Sequence, residues 1–429
     1  MDKVKDFFEF LNNSTTPYQT VMECEKRLIQ AGFIKLEMQE VWSISGWGKY
    51  YIKPYDSMLV AFTVAKEMHF LDRFKIITTH NDSPCFKIKP NPEIKEGNVI
   101  KLNTEVYGGP ILNTWMDRPL SIAGKVALCS EDILKPQIKY LDFEAPLLTI
   151  PNQAIHLNRK VNEGMELNKQ TDMLPVLGIL DEREEIKGYF NKRLAELLSI
   201  NAEEILGYDM YLYLKEEAEL TGANKEIICG PRLDNLAMVY ASFYSLINTE
   251  PNPKDIQMAV CFNNEEIGST TIEGADSNLL SIITERIVLS FNKNREHYHR
   301  MLKNSFIISA DAAHAAHPNA LGKNDPTNIV SLNQGIAIKN SAKKSYATDC
   351  ETSAIIMQLC KSCNLRYQSY VNRSDIPGGM TLGPVTAKYL PIKTADIGVP
   401  MWAMHSARES MGKEDFLDMI KLMEVFYGL

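Results

Sequence analysis

The chain has 429 residues, 45% of them hydrophobic and 23% charged, an ordinary soluble balance with more apolar material than one core absorbs, so two domains are expected. A net charge of −8 without any basic cluster argues against nucleic acid as a partner. The opening "MDKVKDFFEFLNNSTTPY" lacks the apolar core of a signal peptide, and no run approaches the length of a membrane span, so neither export nor a membrane partner is expected.

Along the chain, "DFFEFLNNS" and "TPYQTVMECEKRLIQAGF" read as helices, the second starting at Pro17 and stopping near Gly32. "SMLVAFTVA" and "FKIITTH" are short β-branched runs of buried-strand type. Between about residues 90 and 225 the texture changes to β-like runs with frequent Gly, Pro and Asn, namely "NVIKLNTEVYGG", "LSIAGKVALCS" and "APLLTIPNQAIHLNR". The polar stretch "KVNEGMELNKQTDM" interrupts them and reads as loop. Helix and strand then alternate: "LDNLAMVYASFYSLIN" helix, "DIQMAVCFN" strand, "SNLLSIITERIVLSF" helix, "SFIISADAAHAAHP" strand and loop. "YATDCETSAIIMQLCKSC" reads as helix, "KTADIGVPMWAMHS" as strand and loop, and "KEDFLDMIKLMEVFYGL" as a closing helix. The expected architecture is an α/β domain of residues 1–90 and 225–429, its sheet covered by helices on both faces, interrupted by a β-rich domain of residues 91–224. Eight scattered cysteines fit reduced thiols in a cytoplasm, and the pair Cys360 and Cys363 reads as part of a helix rather than a zinc site.

Metal-ligand side chains stand at the ends of expected strands or the starts of helices in five places. They are His80 and Asp82 in "ITTHNDSP", Asp234 in "GPRLDNLAM", Glu265 and Glu266 in "FNNEEIGS", Asp311 in "IISADAAHAAHP" and His405 in "MWAMHSARE". Taken singly, each is a turn or a solvated surface group. Together they sit where an open α/β sheet binds its ligands, outside the carboxyl ends of the strands. Carboxylates beside a buried strand need a cation or another partner. Two histidines with three or more carboxylates suit a divalent ion such as zinc, and the count suits two ions about 3.5–4 Å apart. Adjacent glutamates leave an extended backbone on opposite sides, so one of the pair can bind metal while the other acts as general base.

These stretches, with "THNDSPCFKIKP", "YGGPILNTWMDRPLSIAGKV", "AIHLNRKVN", "YATD" and "GGMTLGP", make the chain resemble the aspartyl aminopeptidase family of dinuclear zinc exopeptidases. The resemblance implies two Zn2+ per subunit, with Co2+ or Mn2+ as possible substitutes, held by His80, Asp234, Glu266, Asp311 and His405. It implies that Asp234 bridges the metals, that Glu265 is the general base and that Asp82 orients His80. It implies that His156 enters the active site of a neighbouring subunit, and that Lys339, Tyr346, Gly379, Met380 and Thr381 line the pocket for the first substrate side chain. The implied activity is removal of the N-terminal residue from short peptides by a metal-bridged hydroxide, with acidic Asp or Glu termini preferred. Neutral aliphatic termini are the alternative, as is a dinuclear amidohydrolase or deacylase of small molecules, while the complete ligand set speaks against a non-catalytic shell. The implied fold is a mixed-sheet zinc-exopeptidase domain interrupted by a dimerisation domain, and the implied assembly a tetrahedral homododecamer built from dimers. Asn263 departs from the family, which often carries an acid there. His314 and His317 exceed the ligand count, and His297 and His299 read as solvated.

Overall fold

Runs such as Met58–Val64 and Asp255–Phe262 are apolar on both sides of the strand, and both are buried along their whole length. A strand of that kind needs a sheet covered on both faces. In the computed structural model, which describes residues 2–44, 48–64, 72–164, 166–181 and 183–429, they lie inside a nine-stranded mixed sheet. Ala65 of the expected strand at 57–65, and Met165 of the expected polar loop, fall outside the described residues.

The described residues divide into two compact units, one of residues 1–82, 218–404 and 409–429, the other of residues 83–217 and 405–408. In the first, Asp255–Phe262 pairs with Met58–Val64 on one side and runs parallel to Arg73–His80 on the other. Arg73–His80 is in turn parallel to Phe306–Ala310, and that strand to Lys393–Gly398. Strand alternation sorts the side chains. Ile76, Met258 and Val260 meet Ile283 and Ile287 of the Leu279–Ser290 helix and Met301 of the Arg295–Asn304 helix. Ile77, Ala259 and Cys261 join the opposite cluster, which holds Phe7, Leu236, Val239, Phe416 and Met423 from the helices Lys3–Asn13, Leu233–Asn248 and Lys413–Gly428. The result is an α/β/α sandwich in which three adjacent parallel strands end together, at His80, Phe262 and Ala310.

The second unit is built on a six-stranded sheet whose pairings are all antiparallel. Phe86, Leu102, Ile122 and Met210 form its core with Phe190 and Leu194 of the Tyr189–Leu198 helix. The run 145–159 differs from its β-like reading: it makes only the isolated bridges Leu120–Leu148 and Thr149–Val176. Pro146 and Pro151 lack the N–H that a ladder requires, and residues 151–160 form a mostly exposed loop. The helix expected from Tyr346 starts instead at Cys350, because the Asp349 side chain accepts from Thr352 N and caps it there.

None of the eight cysteines is paired in a disulfide; Cys360 lies within the Cys350–Ser362 helix and Cys363 caps its end. No described helix is long and apolar enough to cross a membrane. Where Lys393–Gly398 runs beside Phe306–Ala310, Gly398 leaves room for the carbonyl of Asp311, into which a Cβ would collide. Gly398→Ala is therefore expected to lower unfolding free energy by roughly 3 kcal/mol, read from urea denaturation. A midpoint equal to that of the parent chain would contradict this packing.

Candidate active site

His80 is the last residue of the Arg73–His80 strand and is 1% exposed. Its Nδ1 faces Asp82, with the backbone oxygen at 3.1 Å and Oδ1 at 3.3 Å. Its Nε2 lies 3.5 Å from Asp234 Oδ1 and 3.4 Å from Asp311 Oδ1. An imidazole held on one nitrogen and offering the other to carboxylates has the arrangement of an oriented metal ligand.

Asp82 is fully buried and organises a second segment. Its Oδ1 accepts from Glu265 N and its Oδ2 from Glu266 N, both at 3.1 Å. The two glutamates begin a single 3-10 turn, Glu265–Ile267, flanked by Asn264 and Gly268 in left-handed conformation at φ 63° and 96°. One buried carboxylate thus fixes both the histidine and the paired glutamates. Asn263 has a local task as well: its Nδ2 donates to Ser57 Oγ at 2.7 Å and its Oδ1 accepts from Asn264 N at 2.8 Å.

Asp234 opens the Leu233–Asn248 helix and is 3% exposed. Its N–H donates to Glu409 Oε2 at 2.9 Å, and the next side chain, Asn235, donates from Nδ2 to the carbonyl of Ala310 at 2.9 Å. That carbonyl immediately precedes Asp311, so the Asp234 and Asp311 segments are tied together. Neither Asn235 nor Glu409 stood out in the sequence. Both lie inside quoted motifs, but a hydrogen bond to backbone leaves no spacing signature.

Asp311 follows the Phe306–Ala310 strand, and its Oδ2 accepts from Lys339 Nζ at 3.2 Å. Burial would raise its carboxyl, yet Lys339 and His80 hold it well below the usual range. Burial would likewise lower His80, but its hydrogen bonds to Asp311 and Asp82 carry it well above an ordinary imidazole. Burial pushes Glu265 up to about 8, with Asp311, Asp82 and Asp234 adding to the rise against the pull of His80. Glu266 is likewise held well above the ordinary carboxylate value, first by burial and then by Asp234.

Asp82, Asp234, Glu265, Glu266 and Asp311 thus crowd around one imidazole and one ammonium, leaving a surplus of buried negative charge. His80, Glu265 and Glu266 offer ligand atoms within 4.8 Å of one another, as do His80, Asp234 and Asp311. Oxygen and imidazole donors in that grouping fit divalent zinc.

Comparison with known proteins agrees with this chemistry. A family profile described as aminopeptidase I zinc metalloprotease (M18) matches residues 10–427. The chain belongs to the M18 family of zinc aminopeptidases. A probable M18 family aminopeptidase 2 of Clostridium novyi (strain NT) is 45% identical over 425 residues, covering 99% of this chain and 98% of that protein. The cryo-EM structure of the Ape4 and Nbr1 complex contains a chain matching at TM-score 0.94 and 31% identity, over 99% of this chain and 85% of that one. The S. cerevisiae mApe1 structure, described as a dodecamer, matches at TM-score 0.84 and 24% identity, over 99% and 96%.

The M18 enzyme is a metal-dependent hydrolase of peptide N-termini, and its remaining candidates fall in several places. Lys339 is 3% exposed, and its Nζ lies 5.6 Å from the centre of the buried Tyr346 ring. Thr381 is buried at the start of the Leu382–Tyr389 helix, whereas Met380 is 55% exposed and Gly379 faces open space. His405 belongs to the second unit, where its Nδ1 is 3.2 Å from the carbonyl of Gly109. His156 stands in the exposed 151–160 loop of that unit. His314 is exposed at the end of the two-residue strand Ala313–His314, His317 is exposed in the loop beyond it, and on the Arg295–Asn304 helix His299 is exposed while His297 is half-buried.

Proposed function

We propose that this M18 aminopeptidase removes acidic residues from the N-termini of short peptides, and that His80, Asp234, Glu266, Asp311 and His405 would hold two zinc ions, with Asp234 serving both. Bound zinc supplies a Lewis acid that polarises the scissile carbonyl and acidifies the attacking water. Glu265 receives the proton of that water and passes it to the leaving amine. Asp82 keeps both groups in register, because it holds His80 through the ring and Glu265 through the backbone. His156 serves the active site of a neighbouring copy, and the 83–217 unit is the dimerisation domain. Co2+ and Mn2+ suit the same donors, and we further propose a cytoplasmic enzyme assembled as a tetrahedral dodecamer built from dimers; the mApe1 structure, described as a dodecamer, bears on the subunit number alone.

The acidic preference rests on one observation, the buried ammonium of Lys339 beside Tyr346. A fixed ammonium in a poorly solvated pocket favours a carboxylate ligand. The same ammonium is already paired with Asp311, so an acidic substrate must share it, and that pairing favours neutral aliphatic termini as the second reading. Turnover of Asp-, Glu-, Leu- and Lys-derived chromogenic amides decides between them. The parent enzyme is expected to favour Asp over Leu by at least about tenfold in kcat/KM, and Lys339→Met to remove most of that ratio. A parent that prefers Leu, or a variant that keeps the ratio, would remove the acidic assignment.

A further inference from the structure

Asp396 is a carboxylate in the middle of the Lys393–Gly398 strand, 1% exposed. That strand pairs with Phe306–Ala310, which leads to Asp311, and with Ile336–Lys339, which ends at Lys339. A lone acid at a buried strand position is costly unless it is fully engaged, and burial indeed raises this carboxyl above its usual range.

Each carboxylate oxygen grips a different loop. Oδ1 accepts from Thr381 Oγ1 at 2.7 Å, and Oδ2 accepts from Ala347 N at 2.6 Å. The backbone of Asp396 is held by the same neighbourhood, since its N–H donates to Thr348 Oγ1 at 2.8 Å. Ser345 extends the link, its carbonyl accepting from Thr381 N at 3.3 Å. Gly383 permits the approach, because a Cβ there would collide with the Asp396 carboxylate. Two acceptors are required at one point, one for a hydroxyl and one for an amide N–H, and an ionised aspartate supplies both with no donor of its own.

We propose that Asp396 is a positioning residue for the pocket of the substrate's N-terminal side chain, locking the Tyr346 segment and the 379–383 segment into one arrangement beside Lys339. This rests on the reading above that Tyr346 and residues 379–381 line that pocket. The segment needs such a lock. Gly378 and Gly379 allow many backbone states, Met380 is mostly exposed, and each residue ordered only on binding would charge its lost entropy to KM. The expected signature is weakened substrate binding rather than weakened chemistry, because Asp396 reaches the substrate only through the loops it holds.

The test compares Thr381→Val, which keeps shape and removes the hydroxyl, with Thr381→Ser, which restores it, and with Asp396→Asn. In zinc-loaded enzyme, Thr381→Val is expected to raise KM about tenfold for Asp- and Leu-derived substrates alike, with a far smaller change in kcat and with bound zinc equal to that of the parent. Thr381→Ser returns KM to within about threefold of the parent, and Asp396→Asn, which leaves one acceptor oxygen where the aspartate offers two, raises KM in the same direction as the Val variant. An unchanged KM in Thr381→Val, or a Ser variant no better than Val, overturns the proposal. If Lys339→Met shifts the Asp-to-Leu ratio while Thr381→Val changes nothing, the pocket reading stands and the Asp396 lock falls. If neither variant changes anything, both fall together.

Discussion

Glu265→Gln is expected to lower kcat by about 10³ while bound zinc, subunit assembly and thermal midpoint stay at parent values. Glutamine keeps the size of the side chain and its place in the turn, because the turn is held by the backbone N–H of residue 265 on Asp82 rather than by the side chain. What it removes is the ability to accept and return a proton. The expectation rests on position: the backbone of Glu265 is fixed on Asp82, and its carboxylate shares a 4.8 Å grouping with His80 and Glu266. A carboxylate held beside the metal-bound water can take its proton and return it to the leaving amine. Single-turnover kinetics with zinc analysis on the same sample separates this loss from a loss of metal. Retained turnover in the Glu265→Gln enzyme with a full zinc complement would transfer the proton to another group, and the adjacent Glu266 would be the first to examine.

The parts of this site that could be read in the sequence are those where an apolar, β-branched run ends on a charged residue. "FKIITTH" announces both the strand and the side chain at its end and "DIQMAVCFN" announces the neighbouring strand, and the structure sets those two strands side by side and parallel. The extended backbone expected at Glu265 and Glu266 is replaced by the 3-10 turn Glu265–Ile267, in which Asp82 holds both N–H groups. The supports were not legible. Glu409 acts on the backbone of Asp234, 175 residues away, and Asp396 acts on Ala347 and Thr381, 49 and 15 residues away. Contacts of that kind have no periodicity, and a single acid in a strand resembles an edge position until the sheet order is known. Local competition accounts for other differences. The YATD segment has helical composition, but Asp349 bonds to Thr352 N and delays the helix, leaving Ala347 and Thr348 free to meet Asp396. The charged stretch around His297 folds as the Arg295–Asn304 helix because Tyr298, Met301 and Leu302 share one face, a stripe narrow enough to be hidden among its polar neighbours.

Asp234→Asn should produce the other large effect, and it should appear in stability as well as in rate. In the reading proposed above, Asp234 is shared by both ions, so its loss weakens both. Bound zinc is expected to fall below one ion per subunit after gel filtration, and kcat/KM by at least about 10³, equivalent to several kcal/mol of lost stabilisation. The stability comparison carries more information. A folded chain that binds zinc at a thousand times its dissociation constant gains about 4 kcal/mol, which chelation removes, so the thermal midpoint of the parent should drop on treatment with a chelator. In the metal-free state the substitution has the opposite sign. It takes one charge out of a buried cluster in which Asp234 already raises both Glu265 and Glu266, so the chelated variant should be at least as stable as the chelated parent. Crossing of the two orders, parent above variant with zinc and variant level with or above parent without it, distinguishes a metal ligand from an ordinary buried aspartate. An ordinary buried aspartate would destabilise both states equally when replaced. A variant that retained two ions per subunit, or a parent indifferent to chelation, would show that these carboxylates are gathered for some purpose other than holding cations.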